Sequence, residues 1–105
     1  MQDTCTVTWN DTEIGMVKNI SRDMWYLDGD WIPYEGKANE FEQLLSVGDA
    51  RERLRDLSKL VRVILSDVED KEQKMYCLAM SLDGDKLAVR QVVAKEALDT
   101  FFPDR

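Results

Sequence analysis

The feature that most constrains the fold is a series of short strand-like segments separated by residues typical of tight turns. Residues 4–9 alternate between apolar and polar side chains, which is typical of a half-buried strand, and residues 13–20 form a second such segment. Asn10-Asp11 between them indicates a turn, and Gly15 suggests a bulge or a close backbone approach. We therefore predict an N-terminal β-hairpin.

Two Asp-Gly pairs predict further hairpins. Residues 24–27 and 30–34 flank Asp28-Gly29, and residues 75–82 and 86–93 flank Asp83-Gly84. Asp-Gly suits the positive φ angles of the tightest hairpin turns. Pro33 cannot donate a ladder hydrogen bond, which favours an edge position or the end of a strand. Residues 61–66 also alternate and predict another strand.

Helical patterns separate and follow these segments. Asn39 with Glu42 forms a capping-box-like start before an apolar face, and Gly48 suits the end of that helix. A second helix, or the same helix after a kink, begins near Asp49, and residues 94–102 predict a short closing helix. The chain is thus predicted to be a single α+β domain over residues 1–105. Its antiparallel sheet or sheets are built from hairpins, with the central helical segment and the short C-terminal helix packed on one face.

The chain contains no histidine. This excludes Ser-His-Asp and Cys-His nucleophile arrangements and every zinc pattern that includes histidine. Cys5 and Cys77 are too few for a structural zinc site. We expect them to be small buried thiols, with a disulfide only if their strands lie side by side. Glycines occur singly, without a phosphate-binding loop. We predict no catalytic residues, no metal, no cofactor and no enzymatic activity.

The net charge of −7, from 14 basic and 21 acidic side chains, constrains the partners. Phosphate backbones and anionic membranes would be repelled, so no nucleic-acid or membrane partner is predicted, whereas a basic protein would be attracted. No apolar stretch approaches the roughly 18 residues of a transmembrane helix, and the N-terminus lacks a signal-peptide pattern. We expect a soluble cytoplasmic protein of bacterial type. Exposed sheet edges would also allow a homodimer.

Aromatic and acidic side chains concentrate in residues 23–34. A strand buried on both faces would explain the aromatic residues. An exposed aromatic platform rimmed by carboxylates is the alternative, and it would suit an arginine-rich partner. The candidate partner-binding residues are Asp23, Trp25, Tyr26, Asp28, Asp30, Trp31 and Tyr34.

Two other patterns favour ordinary structural roles. The string Leu-Asp-Gly-Asp occurs at residues 27–30 and 82–85, but neither copy supplies the ligands of a calcium loop of about twelve residues. A basic stripe at Arg51, Arg55, Lys59 and Arg62 is interrupted by acidic residues and is typical of a solvated helix face.

Three functions remain open from the sequence. The first is a small interaction protein, an immunity-like or adaptor-like binder of a basic partner, through residues 23–34. The second is a domain that binds a sugar or metabolite in an aromatic pocket between sheet and helix. The third is a hydrolase that uses carboxylates alone. The sequence by itself assigns none of them.

Overall fold

The computed structural model describes residues 3–46, 55 and 60–105. Six strands and two helices lie in these ranges. The strands are β1 (Cys5–Trp9), β2 (Thr12–Asp23), β3 (Tyr26–Pro33), β4 (Arg62–Asp67), β5 (Lys74–Asp83) and β6 (Lys86–Gln91). The helices are α1 (Asn39–Ser46) and α2 (Lys95–Phe101). Gly48 lies outside the described residues, as does the predicted helix from Asp49 apart from Arg55. Of the basic stripe, Arg51 and Lys59 also lie outside them.

The strands form a closed antiparallel barrel in the order β1-β2-β3-β6-β5-β4. Closure comes from the pairing of β1 with β4, in which Cys5 lies opposite Asp67 and Thr8 opposite Ile64. The predicted α+β fold, a sheet with helices on one face, is therefore wrong. Local patterns identified most of the strands, but the β1–β4 pairing joins segments that are far apart in sequence. Every described strand has two neighbours in the barrel, and the homodimer stays a prediction.

Alternating side chains fill the inside of the barrel. Apolar residues of all six strands point inward and form one core with residues of α1. Phe41 of α1 is fully buried, and its ring centroid lies 5.8 Å from that of Trp9 and 5.4 Å from that of Trp31. Because Trp9 and Trp31 lie near the same end of the barrel, α1 covers that end.

The turn predicted at Asp28-Gly29 is also wrong, because both residues lie inside the continuous strand β3. A Cβ atom on Gly29 would lie 2.6 Å from the carbonyl oxygen of Lys18 and 2.8 Å from a methyl carbon of Val17. β2 approaches this closely at an irregularity between Lys18 and Ser21. Glycine is therefore needed at position 29 for close strand contact and not for a turn.

Other local predictions are confirmed. Asn10 and Asp11 both have positive φ, at 51° and 63°, in the two-residue turn between β1 and β2. Gly84, at φ 60°, lies in the turn between β5 and β6. The helix that begins at Asn39 and the C-terminal helix are both present. None of the helices described in residues 3–46 and 60–105 is long and apolar enough to cross a bilayer.

Candidate functional site

Three consecutive large apolar side chains are exposed where β2 turns into β3. Met24, Trp25 and Tyr26, here called the turn cluster, are 76%, 46% and 51% exposed. Asp23 pairs with Tyr26, so Met24 and Trp25 form a two-residue turn. Neither is a typical turn residue. The turn cluster lies at the end of the barrel opposite to α1.

Met24 adopts a left-handed backbone conformation, with φ at 57°. This region costs an L-residue roughly 1–2 kcal/mol, whereas glycine adopts it freely. With three quarters of its surface in solvent, the Met24 side chain gains little from packing to offset that cost. Met24 is therefore a large apolar residue that is both strained and exposed.

Hydrogen bonds hold the turn cluster in place from β6 and β2. The backbone N–H of Gln91 donates to the carbonyl oxygen of Trp25 at 2.7 Å. The Arg22 guanidinium donates to the Gln91 side-chain oxygen at 2.9 Å and contacts the sulfur of Met75 at 3.3 Å. These contacts attach the turn to the barrel, so the exposed side chains project from a backbone that hydrogen bonds hold in place.

A row of outward-facing residues runs across the barrel wall beside the turn cluster. Its members are Asp23 on β2, Tyr26 on β3, Arg90 on β6 and Leu78 on β5, each paired with the next. The Arg90 guanidinium carbon lies 5.8 Å from the centroid of the Tyr26 ring, in a cation–π arrangement. Asp28, two residues after Tyr26 on β3, is exposed on the same face. One side of the row is thus acidic and the other apolar.

A groove of about 190 Å³ lies between the turn cluster and α2. We call it the Trp25 groove. Trp25 forms one wall, Ala97 and Phe101 of α2 form the other, and Leu78 lies on the barrel wall beneath. Val93, in the connection from β6 to α2, is 49% exposed and also lines the groove. The Trp25 groove therefore extends the exposed apolar surface from the turn cluster towards α2.

Four of the predicted partner-binding residues belong to this surface or border it: Asp23, Trp25, Tyr26 and Asp28. Asp30 lies further along the same outer face, where its carboxylate pairs with Lys86 and accepts a hydrogen bond from Asn19 at 2.8 Å. Hydrogen bonds from Lys86, and then from Asn19, lower the pKa of the Asp30 carboxyl. This carboxylate already has partners within the chain.

Trp31 and Tyr34 lie away from the turn cluster. Trp31 is 6% exposed and packs on Phe41 in the core, while its Nε1–H donates to Glu42 at 3.0 Å. Tyr34 follows β3 at the opposite end of the barrel, and its backbone N–H donates to the carbonyl oxygen of Ile14 at 2.8 Å. The structure therefore divides the predicted aromatic platform between core and surface.

Met24, Arg90 and Val93 were not among the binding residues predicted from the sequence. Met24 lies within the predicted segment, but its unusual backbone follows from the register of β2 and β3. Arg90 and Val93 lie more than sixty residues away along the chain. An apolar run that ends in two adjacent valines, followed by alanine, was the only signal for Val93, and it fits a strand equally well.

Cys5 and Cys77 are both buried cysteines. Burial, together with the nearby Asp67 carboxylate, raises the pKa of the Cys5 thiol to about 11. Burial also raises the pKa of Cys77 to about 12, with Cys5 as the second cause. Thiols with such pKa values are poor nucleophiles at neutral pH. Their structural role as small buried side chains is confirmed.

One buried carboxylate, Asp67, shapes a loop of the barrel. Asp67 is 3% exposed, and its Oδ1 accepts the backbone N–H of Glu69 at 2.8 Å, which shapes the loop between β4 and β5. In the part of the chain that the structure describes, no group of three or more cysteine or carboxylate side chains is arranged to hold a metal ion.

Comparisons with protein-family models, curated protein sequences and solved structures find no match to this chain.

Proposed function

We propose that this protein binds another, basic protein through the turn cluster. The observation that carries the proposal is Met24, a large apolar residue that is exposed in a strained conformation where glycine would be more stable. Trp25 and Tyr26 beside it supply the aromatic area that is enriched at the centre of protein interfaces. Together they form a contiguous apolar surface, which is a feature of interaction sites.

Charge supports a basic partner. The chain carries a net charge of −7, and the exposed carboxylates of Asp23 and Asp28 lie beside Tyr26. Such a field steers an oppositely charged protein and mainly raises the association rate. An interface of this kind would combine an aromatic centre with an acidic rim.

The proposal is tested with the full chain as bait and matched surface variants. Trp25→Ser/Tyr26→Ser removes the aromatic part of the turn cluster. Leu44→Ser serves as the control, because Leu44 is 45% exposed on α1 at the other end of the barrel. We expect the wild type and the control to retain a basic partner and the double variant to lose it. The association rate should fall as salt concentration rises.

Equal retention by the double variant and the control would overturn the proposal. So would a purified partner that is acidic, or whose association rate does not depend on salt. Thermal unfolding of each variant shows whether a loss of binding reflects a loss of fold.

A second candidate function is binding of a small ligand on the other side of α2. A groove of about 290 Å³ lies there, with Tyr76 and Phe102 on its aromatic side and Arg62 among its polar groups. Its volume is near the lower limit of roughly 300–1,000 Å³ for ligand pockets. A thermal-shift screen of sugars and metabolites tests it, and stabilisation that is lost in Tyr76→Ala would favour this function over the first. The carboxylate-only hydrolase stays a prediction.

A further inference from the structure

The Trp25 groove has the size and lining of a receptor for one side chain. Its volume of about 190 Å³ is too small for most ligand pockets, which measure roughly 300–1,000 Å³. Trp25, Leu78 and Phe101 make most of its surface apolar. Interfaces concentrate their binding energy where an anchor side chain fills such a pocket. A single large aliphatic or aromatic side chain would fit this volume.

The two rims of the Trp25 groove differ. One is apolar and exposed to solvent, and the other carries a charged side chain that already contacts Tyr26. Val93 is 49% exposed at the groove, which leaves room for an entering chain. Arg90 also borders the groove, but its guanidinium lies over the Tyr26 ring. A basic residue of the partner would be repelled from Arg90 and attracted to Asp23, on the far side of Tyr26. The charges therefore set the direction in which a basic segment crosses this surface.

The strand register gives the distance between Asp23 and the centre of the Trp25 groove. Asp23, Tyr26, Arg90 and Leu78 occupy neighbouring strands, and the groove lies over the last two. With a spacing of about 4.8 Å between strands, Asp23 is roughly 12 Å from the centre of the groove. An extended segment advances about 3.3 Å per residue, so this distance corresponds to roughly three or four residues.

We propose that the partner inserts one large apolar side chain into the Trp25 groove and places a lysine or arginine three or four residues away against Asp23. This inference rests on the proposed function and adds the recognition pattern to it. The occupant is an extended basic segment of a protein.

The experiment uses a display library of random twelve-residue peptides selected against the full-length protein. Ala97→Leu fills the groove from α2. Thr100→Leu adds the same side chain to the same helix, but at an exposed position that lines neither groove. We expect selected peptides to share an apolar residue with a basic residue three or four positions away. Binding should weaken about tenfold or more in Ala97→Leu and little in Thr100→Leu.

Asp23→Asn separates the second contact from the first. The Asp23→Asn variant should bind the selected peptides with lower affinity, and the affinity should depend less on salt. Peptides whose basic residue is replaced should bind Asp23→Asn and the wild type with equal affinity. In parallel, N-acetyl-leucine amide should shift the NMR signals of the Trp25 indole and the Ala97 methyl group in the wild type. It should leave the Trp25 indole signal of Ala97→Leu unshifted.

The outcomes distinguish this inference from the proposed function. If Trp25→Ser/Tyr26→Ser abolishes binding of the partner and Ala97→Leu does not, the turn cluster binds the partner, but no side chain of the partner inserts into the Trp25 groove. If neither substitution matters, both proposals are wrong. The inference would also be wrong if the selected peptides lacked the predicted spacing, or if all of them bound Ala97→Leu as tightly as the wild type.

Discussion

The Nε1–H of Trp31 donates a hydrogen bond to the carboxylate of Glu42 across 3.0 Å, and this bond joins the barrel wall to α1. Because Trp31 is buried, Glu42→Ala would leave its N–H without this acceptor. We expect a loss of about 1–2 kcal/mol in the free energy of unfolding, measured by urea denaturation. Glu40→Ala removes the same charge from the same helical turn and should cost less. Equal losses would show that the bond contributes nothing.

Gly29→Ala tests the assignment of residues 28 and 29 to a strand. The added Cβ would meet the backbone oxygen of Lys18, which cannot move aside as a flexible side chain would. We expect destabilisation of about 2 kcal/mol or more. Gly36→Ala is the comparison, since Gly36 has φ 76° and open space around its Cβ position, so it should lose only about 1 kcal/mol. A milder effect at Gly29 than at Gly36 would contradict the close strand contact.

Met24→Gly separates the backbone strain of the turn cluster from its side-chain contacts. Glycine relieves the left-handed conformation, whereas Met24→Ala removes the side chain and keeps the strain. We expect the glycine variant to be more stable than the alanine variant by about 1 kcal/mol. For a domain of this size that difference raises Tm by roughly 4–8 °C.

Both Met24 variants should bind the basic partner more weakly than the wild type, because both lack the methionine side chain. A glycine variant that is no more stable than the alanine variant would remove the strain argument. A glycine variant that binds as tightly as the wild type would remove Met24 from the interface.

Cys5 and Cys77 predict a loss of stability in alkali. In the folded protein burial holds their pKa values at about 11 and about 12. The unfolded chain releases its thiol protons near pH 8.5, so above that pH the unfolded state binds fewer protons than the folded state. The free energy of unfolding should therefore fall as pH rises from about 9 to 11, by a few kcal/mol.

The measurement is denaturation at a series of pH values, and the control is Cys5→Ala/Cys77→Ala. The double variant starts from a lower stability because of its cavities, but its decline over the same pH range should be shallower. All other side chains are the same in both proteins, so their contributions cancel in the comparison. Parallel curves would show that the thiols do not contribute.

Local sequence was sufficient where a turn depends on its own residues. The hairpin predicted at Asp83-Gly84 is present, with Asp83 as the last residue of β5 and Gly84 in the turn at φ 60°. The identical pair Asp28-Gly29 lies within β3, because its glycine accommodates the approach of β2. A dipeptide cannot distinguish these two uses of glycine, since the second depends on a neighbouring strand. The true turn at Met24-Trp25 has no turn residue and follows from strand register.

The sequence singled out residues 23–34 but not which of them are exposed. Their aromatic residues fitted either a strand buried on both faces or a platform exposed on one face, and the structure places Trp31 in the core and Trp25 and Tyr26 at the surface. Alternation along β3 turns Leu27 and Trp31 inward and Tyr26 and Asp28 outward, but the pattern alone did not reveal which face was the core. Arg90 and the wall formed by α2 come from a distant part of the sequence, so only the closed barrel brings them to the turn cluster.

The pairing of β1 with β4 has a consequence for how the chain reaches its native state. Until Asp67 arrives opposite Cys5, β1 has only one neighbour, and the first three strands form a sheet with open edges. Contacts between segments so distant in sequence are slow to form, because the intervening chain must first lose its freedom. Open edges can pair with other chains during this delay. We therefore expect closure of the ring to limit the rate of folding, and aggregation during refolding to compete with that step.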